Sequence, residues 1–321
     1  MSAFEFRAAW IGESAQALLT GNNQAKVLGV TSRGCFLQLP AEWVVYLSVE
    51  PFRGPLTINL TAGAVDQSIR QRLPPYRLKG TFAGVSPAQA VMIYPDRIEF
   101  WGTDLTIYLD AAAPWIPPLQ SGEVLPQADR IKYLTQLAHL VNTQRQSGFF
   151  GRALEYLLEG KNLVKHMEPP DAHADRILDQ LIGVQQSLKA LMQSQNLVAD
   201  LINKLAPFLG LGSGLTPSGD DLVIGLLLTL NRWGDTLAPQ LDYALLNEEL
   251  ILLARRKTTL LSANLIECAG QGQADERLLL AVDGIMTGTP DPNTSAAHLL
   301  QWGKSSGIDA LTGMAVVLRS L

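Results

Sequence analysis

Residues 114–126 read Pro114-Trp115-Ile116-Pro117-Pro118-Leu119-Gln120-Ser121-Gly122-Glu123-Val124-Leu125-Pro126, with four prolines in thirteen positions. Proline fixes its own φ, lacks an N–H, and biases the residue before it towards extended backbone. Neither a helix nor a central strand runs easily through such a passage, so it reads as a stiff linker. The hydrophobic pattern changes period across it, and that change decides the fold class. We read an α+β chain: a β-barrel-like or small sandwich domain over residues 1–125, then an all-helical domain over residues 126–321.

Upstream, the chain is a series of short β-branched and aromatic runs separated by turn residues. Lys26 to Leu39 carries a turn signal at Arg33-Gly34. Trp43 to Val49, Leu56 to Leu60, Arg77 to Phe82, Ala90 to Tyr94 and Arg97 to Leu109 continue the series. Pro51, Gly54-Pro55, Pro74-Pro75, Pro95-Asp96 and Gly102 punctuate it. Many short strands at this spacing point to a barrel or a small sandwich.

Downstream, apolar residues recur every three or four positions, as helices require. Ile131, Leu134, Leu137, Ala138 and Val141 form one such stripe. Ile177, Leu181, Val184, Leu188 and Leu191 form another, followed by Leu197, Leu201 and Leu205. Residues 219–233, 239–255, 258–271 and 307–320 supply further helices.

The 321 residues give a prior of about two domains. With 47% hydrophobic and 17% charged residues, the chain can build a large core and is not predominantly disordered. Its net charge of −5, with no long basic run, disfavours nucleic acid and anionic membranes as partners. The most apolar run, Leu222 to Leu230, is nine residues, well short of the roughly 20 a spanning helix needs. The N-terminus, with Glu5, Arg7 and Glu13, does not resemble a signal peptide. Cys35 and Cys268 are too few and too far apart for a disulfide framework. The expected compartment is the cytoplasm.

The segment with the most chemistry is Leu209 to Asp221, LGLGSGLTPSGDD. Gly210, Gly212, Gly214 and Gly219 let backbone N–H groups approach a ligand, and Ser213, Thr216 and Ser218 add hydroxyls. A very apolar helix follows at once, and a helix start offers unpaired N–H donors and partial positive charge. Ser218 to Asp221 also reads as a capping box, with Ser218 as N-cap and Asp221 three residues on. The glycine density favours a ligand loop over a simple cap. It is not a P-loop, because no Gly-Lys-Ser/Thr follows, and the spacing is not that of a dinucleotide fingerprint.

Ser306-Gly307-Ile308-Asp309-Ala310-Leu311-Thr312-Gly313 repeats the form of Ser218-Gly219-Asp220-Asp221-Leu222-Val223-Ile224-Gly225. Both are S-G-x-D-x-x-x-G. Two independent caps would also explain the match. The sharper expectation is that two helix starts converge on one small ligand, with N–H groups on its negative end and the first-turn Asp residues on a cation or on its donor groups. Thr258, Thr259 and Ser262 sit at i,i+3 and i,i+4 spacing, either as backbone-bonding hydroxyls or as pocket donors. Arg255-Arg256-Lys257 lies beside them. His139, His166, His173 and His298 show no metal-binding spacing, so no metal site is assigned. Mg²⁺ held by Asp220 and Asp221 together with substrate oxygens is the one cofactor left open.

At LGLGSGLTPSGDDLVIGLL, KTTLLSANLIECAGQG and WGKSSGIDALTGMAVVL the chain resembles the AllH-like family. The resemblance spans about residues 205–320, and at position 213 the chain has Ser where many relatives are expected to carry Pro. It implies a setting of carbamoyl transfer and ureide (allantoin, oxamate) catabolism, in which several different subunits act on small anions. Carried over by position, it implies Gly212, Thr216, Ser218, Gly219, Asp220, Asp221, Thr258, Thr259, Ser262, Ser306, Gly307 and Asp309 as site residues. With Ser213 and Gly214 from the loop, these form the expected ligand site, and Asp220, Asp221 and Asp309 are the candidate catalytic groups. The expected partners are a small anionic metabolite and either other subunits or further copies of the chain. Two rival readings are a nucleotide-dependent phosphotransferase and a non-catalytic assembly subunit.

Overall fold

The computed structural model describes residues 4–60, 81–144, 150–159, 172–191 and 198–321. The chain forms two compact units, Met1–Pro118 and Leu119–Leu321, so the division falls inside the proline-rich passage, ahead of residue 125.

The first unit is a closed barrel. Its strands are β1 (Phe4–Gly12), β2 (Gln24–Thr31), β3 (Gly34–Gln38), β4 (Val44–Ser48), β5 (Thr57–Leu60), β6 (Ala90–Ile93), β7 (Arg97–Phe100), β8 (Leu105–Tyr108) and β9 (Ala113–Trp115). They follow the order β5-β4-β3-β2-β6-β7-β8-β1, and a β5–β1 pairing closes the ring. The short β9 runs beside the second half of β1, along the edge that β8 occupies in the first half. Closure removes the exposed edges that a small sandwich would leave.

Phe6, Val27, Leu37, Leu47, Ile58, Val91, Ile98 and Ile107 point into the barrel and form its core. On β1, Phe6 and Ala8 alternate inward, and a bulge between Ala8 and Trp10 then resets the phase. Ile11 is thereby buried while Trp10 is 38% exposed. A short helix, α1 (Glu13–Thr20), adds Ala15 and Leu19 to the same core.

The strands expected from the sequence do not include β1 or β9, although Phe4-Glu5-Phe6-Arg7-Ala8 carries a period-two signal. The expected single strand from Arg97 to Leu109 is split by a turn around Gly102 into β7 and β8. Of the expected strand Arg77 to Phe82, residues 77–80 lie outside the described residues, and Thr81 and Phe82 lie in a turn.

The described helices of the second unit are α2 (Gln127–Gln144), α3 (Gly151–Glu159), α4 (Ala172–Leu191), α5 (Val198–Leu205), α6 (Ser218–Leu237), α7 (Tyr243–Lys257), α8 (Leu260–Gly270), α9 (Glu276–Thr287), α10 (Pro292–Leu299) and α11 (Ser306–Leu318). Leu197, at the head of one expected stripe, lies outside the described residues. The helices expected from periodicity do not include α3, α9 and α10. The last two carry start signals nonetheless, an Asp275 cap and an Asp291 cap followed by Pro292. Two helices are apolar all round and lie at the centre. α11 is buried from Gly307 to Leu318, and α6 from Gly219 to Leu230. Among the described residues they make the most extensive helix pair, with α2, α3, α4, α8 and α9 packed around them.

Candidate functional site

The central pair explains why the S-G-x-D-x-x-x-G pattern occurs twice. A Cβ added at Gly225 would lie 2.0 Å from the Ala310 carbonyl oxygen, and one at Gly313 would lie 2.0 Å from the Leu222 oxygen. The eighth position of each motif thus packs on the fifth position of the other. The first and fourth positions meet in the same reciprocal way. The Ser306 hydroxyl lies beside Asp221, and the Ser218 hydroxyl beside Asp309. α6 and α11 therefore run parallel, related by a local two-fold, with both starts at one end. The expectation that residues 212–221 and 305–309 come together is met in these contacts.

Both second-position glycines are consumed by packing. A Cβ on Gly219 would meet the Phe208 oxygen at 2.0 Å, and one on Gly307 the Leu299 oxygen at 2.3 Å.

The capping box is not formed. Pro217 is the N-cap of α6 and Ser305 that of α11, and neither helix has a side-chain cap. By contrast Asp242, Thr259, Asp275 and Asp291 cap α7, α8, α9 and α10. Nor are the three hydroxyls of the third motif on one helix face: Thr258 closes α7, Thr259 caps α8, and only Ser262 lies within a helix.

Asp220 is a clasp. Its Oδ1 accepts the Gly210 N–H at 2.8 Å, and its Oδ2 accepts the Thr258 hydroxyl. Gly210 suits this role because it adopts φ +77° and leaves no room for a Cβ beneath the Lys257 carbonyl, 2.5 Å away. Thr259 makes the second tie. It donates to the Leu215 oxygen at 2.7 Å and accepts the Ser262 N–H at 3.1 Å. Together the two ties hold the glycine-rich loop against the α7–α8 junction, while Gly212 to Leu215 remain exposed. Ser213 and Gly214 thus lie on the outer loop, whereas Thr216 reaches inward to Asp221 Oδ2 at 3.4 Å.

Asp221 and Asp309 are 1% and 0% exposed, and each has an oxygen without a hydrogen bond, Oδ1 and Oδ2 respectively. Ser262 Oγ, also fully buried, has none either. The other Asp309 oxygen accepts the Phe150 N–H at 3.4 Å, a contact with no signature in the sequence.

Burial pushes all three carboxyls towards the neutral form. Asp220 is raised by burial against the opposing bonds from Thr258 and Gly210 and the nearby Ser262 hydroxyl. Asp221 is raised well above the ordinary range, first by burial and then by the charges of Asp309 and Asp220. Asp309 is held up to about 6 by burial, offset by Ser218, Ser305 and the Phe150 amide.

The helix-start amides are largely engaged. Gly219 N–H donates to the Leu211 oxygen, and those of Asp220 and Asp221 to Pro217. Gly307 N–H donates to Trp302, and those of Ile308 and Asp309 to Ser305. The atoms left without a close partner at the two helix starts are therefore carboxyl oxygens and not backbone amides.

Among the described residues no group of three or more His, Cys, Asp or Glu is disposed to hold a metal ion. His139 lies on α2 and His298 on α10, His173 falls in α4, and His166 is outside the described residues. Arg255 pairs with Glu267 at 2.6 Å, and Lys257 Nζ donates to the Ala206 oxygen at 3.2 Å, so two members of the basic triplet are committed elsewhere. Cys35 and Cys268 are buried free thiols, both pushed up to about 12 by burial. No helix among the described residues is long and apolar enough to cross a membrane.

No solved structure matches the chain. Residues 208–318, which contain every side chain of this cluster, match the model of the family described as oxamate carbamoyltransferase subunit AllH, the family its motifs resemble.

Proposed function

We propose that this chain is one subunit of a carbamoyl-transfer system of ureide catabolism, acting in the cytoplasm, and that it binds a small anionic metabolite at the paired starts of α6 and α11, beside the α7–α8 junction that holds the glycine-rich loop. The observation that supports this reading is the set of buried oxygens without a close hydrogen-bond partner that three separate sequence motifs supply: Asp221 Oδ1 and Asp309 Oδ2 at the paired helix starts, and Ser262 Oγ beside Asp220. Unpaired buried polar groups cost free energy, commonly about 1–3 kcal/mol each, and a bound ligand removes that cost.

Catalysis in such a site is positioning and electrostatic stabilisation. Asp221 and Asp309 contact the ligand, with Ser218, Ser262 and Ser306 beside them. Asp220, Thr258 and Thr259 hold the glycine-rich loop in place. A Mg²⁺ ion would take most of its oxygen ligands from the substrate, because the three carboxyls do not by themselves form a metal cage.

A thermal-shift series with oxamate, oxalurate, carbamoyl phosphate, ureidoglycolate and ATP, each with and without Mg²⁺, tests the proposal. A true ligand at 100 times its dissociation constant adds about 2.7 kcal/mol of stability. A shift with ATP alone points instead to a phosphotransferase. No shift with any of the five leaves the motifs as helix-packing devices of an assembly subunit.

A further inference from the structure

Helix α7 carries the unbroken apolar run Leu250-Ile251-Leu252-Leu253-Ala254. With about 3.6 residues per turn, such a run circles the helix and cannot face one side alone. Leu246, Leu250 and Ala254 form the buried stripe, the helix packs on α5 and α8, and Asn247 bonds to Asn231 of α6. Leu245 and Leu252, seven residues apart, stand on the side opposite that stripe and are 43% and 44% exposed. Leu215 is also 44% exposed, and Thr259 holds its carbonyl beside the far end of the same helix. Among the described residues of the second unit, Leu119 is the one other large apolar side chain left exposed. A row of leucines along the outer side of a helix is a mark of an interaction surface.

The charges on that side are antisymmetric about Leu252. Glu248 and Glu249 stand four and three residues before it, and Arg255 and Arg256 three and four residues after it. Those steps place all four on the side of the helix that Leu252 occupies. Glu248, Glu249 and Arg256 are exposed and make no ion pair among the described residues, while Arg255 pairs with Glu267. The helix dipole accounts for a basic last turn, but not for exposed leucines between and beyond the two charge pairs.

We infer that the outer side of α7 is the contact surface of a symmetric dimer, in which a second copy of this chain lays its own α7 antiparallel across it with the two-fold axis at Leu252. In that register Leu252 meets Leu252 of the second copy, and Glu248 and Glu249 meet its Arg256 and Arg255. Leu245, seven residues before the axis, comes to the end of the second helix marked by Thr259, seven residues after it, where Leu215 is held. Each attractive pair then occurs twice, as a self-complementary contact requires. A parallel arrangement sets Glu on Glu and Arg on Arg, and like charges across an interface oppose it. A partner of a single sign complements only one half of the helix. The inference does not depend on the ligand-site reading, although it brings the glycine-rich loop, through Leu215, to the edge of the interface.

Sedimentation velocity of the full chain over a micromolar concentration series tests this. The native chain should be a dimer. Leu252→Glu sets two like charges on the axis and should weaken self-association by about a hundredfold. Its side chain is exposed, so the variant should fold, and thermal melts check that it does. Glu248→Arg and Arg256→Glu should each weaken self-association by about tenfold. An equimolar mixture of these two variants should recover association of native strength, because each chain then meets its opposite charge at both crossings. A merely damaged helix is not rescued by mixing. A monomeric native chain overturns the inference and leaves this face to a different subunit. A dimer that Leu252→Glu does not weaken lies elsewhere on the molecule and overturns it too, as does a mixture of folded variants that fails to recover.

Discussion

Asp309 is buried with two hydroxyls and one amide to offset the loss of water, and its carboxyl is held up to about 6 against an ordinary 3.8. A raised acid binds its proton more tightly in the folded state than in the unfolded one. Its contribution to stability is therefore complete below about pH 4 and is lost as pH climbs through about 6, in total about 3 kcal/mol. Asp309→Asn has no such ionisation. Urea denaturation across this range should show native stability falling with pH, and the slope between about pH 4 and pH 6 should flatten in the variant. An unchanged slope would mean that Asp309 does not carry the penalty.

Thr258 gives a second test at this scale. Its hydroxyl donates to Asp220 Oδ2, and Thr258→Val keeps the shape while removing that donor from a buried carboxyl. The expected cost is about 1–3 kcal/mol in unfolding free energy. A neutral result would remove the clasp role from Asp220.

The contact between α6 and α11 is made by backbone on backbone, which only glycine permits. Gly225→Ala and Gly313→Ala each drive a methyl group into a carbonyl 2.0 Å away, and each should cost about 1–3 kcal/mol or more. Because the two glycines serve one interface from opposite sides, the double variant should cost measurably less than the sum of the singles. Additive losses in denaturant melts would argue that the helices are not coupled in this reciprocal way.

The repeated motif was legible in the sequence, and so was its convergence, because Ser, Gly and Asp at helix starts carry local signals. The reason for the repetition was not. It lies in which carbonyl faces each glycine, and that depends on packing. The capping box failed for the same reason. Pro217 took the cap position, which left Ser218 and Asp221 turned towards α11. The barrel was legible as a run of strands, while its closure by β1 depended on a pairing between residues some fifty positions apart. Phe150 carried no signal of its role, since it contributes only a backbone amide.

Every described group of the proposed ligand site belongs to the unit Leu119–Leu321. A fragment starting at Leu119 should therefore fold, as judged by circular dichroism, and keep the oxamate-induced thermal shift of the full chain to within a few degrees. A folded fragment without the shift would assign part of the site to the barrel unit.

The wedged glycine contacts also bear on how the molecule responds to being filled. Two helices that touch main chain to main chain at Gly225 and Gly313 have no slack to slide, so binding at the proposed site should not reorganise the centre of the unit. Amide hydrogen exchange should accordingly slow in residues 210–216 on addition of oxamate and stay nearly constant along the buried turns of α6 and α11. Recognition here would be the filling of a mould already set, with its seam sealed by the absence of two methyl groups.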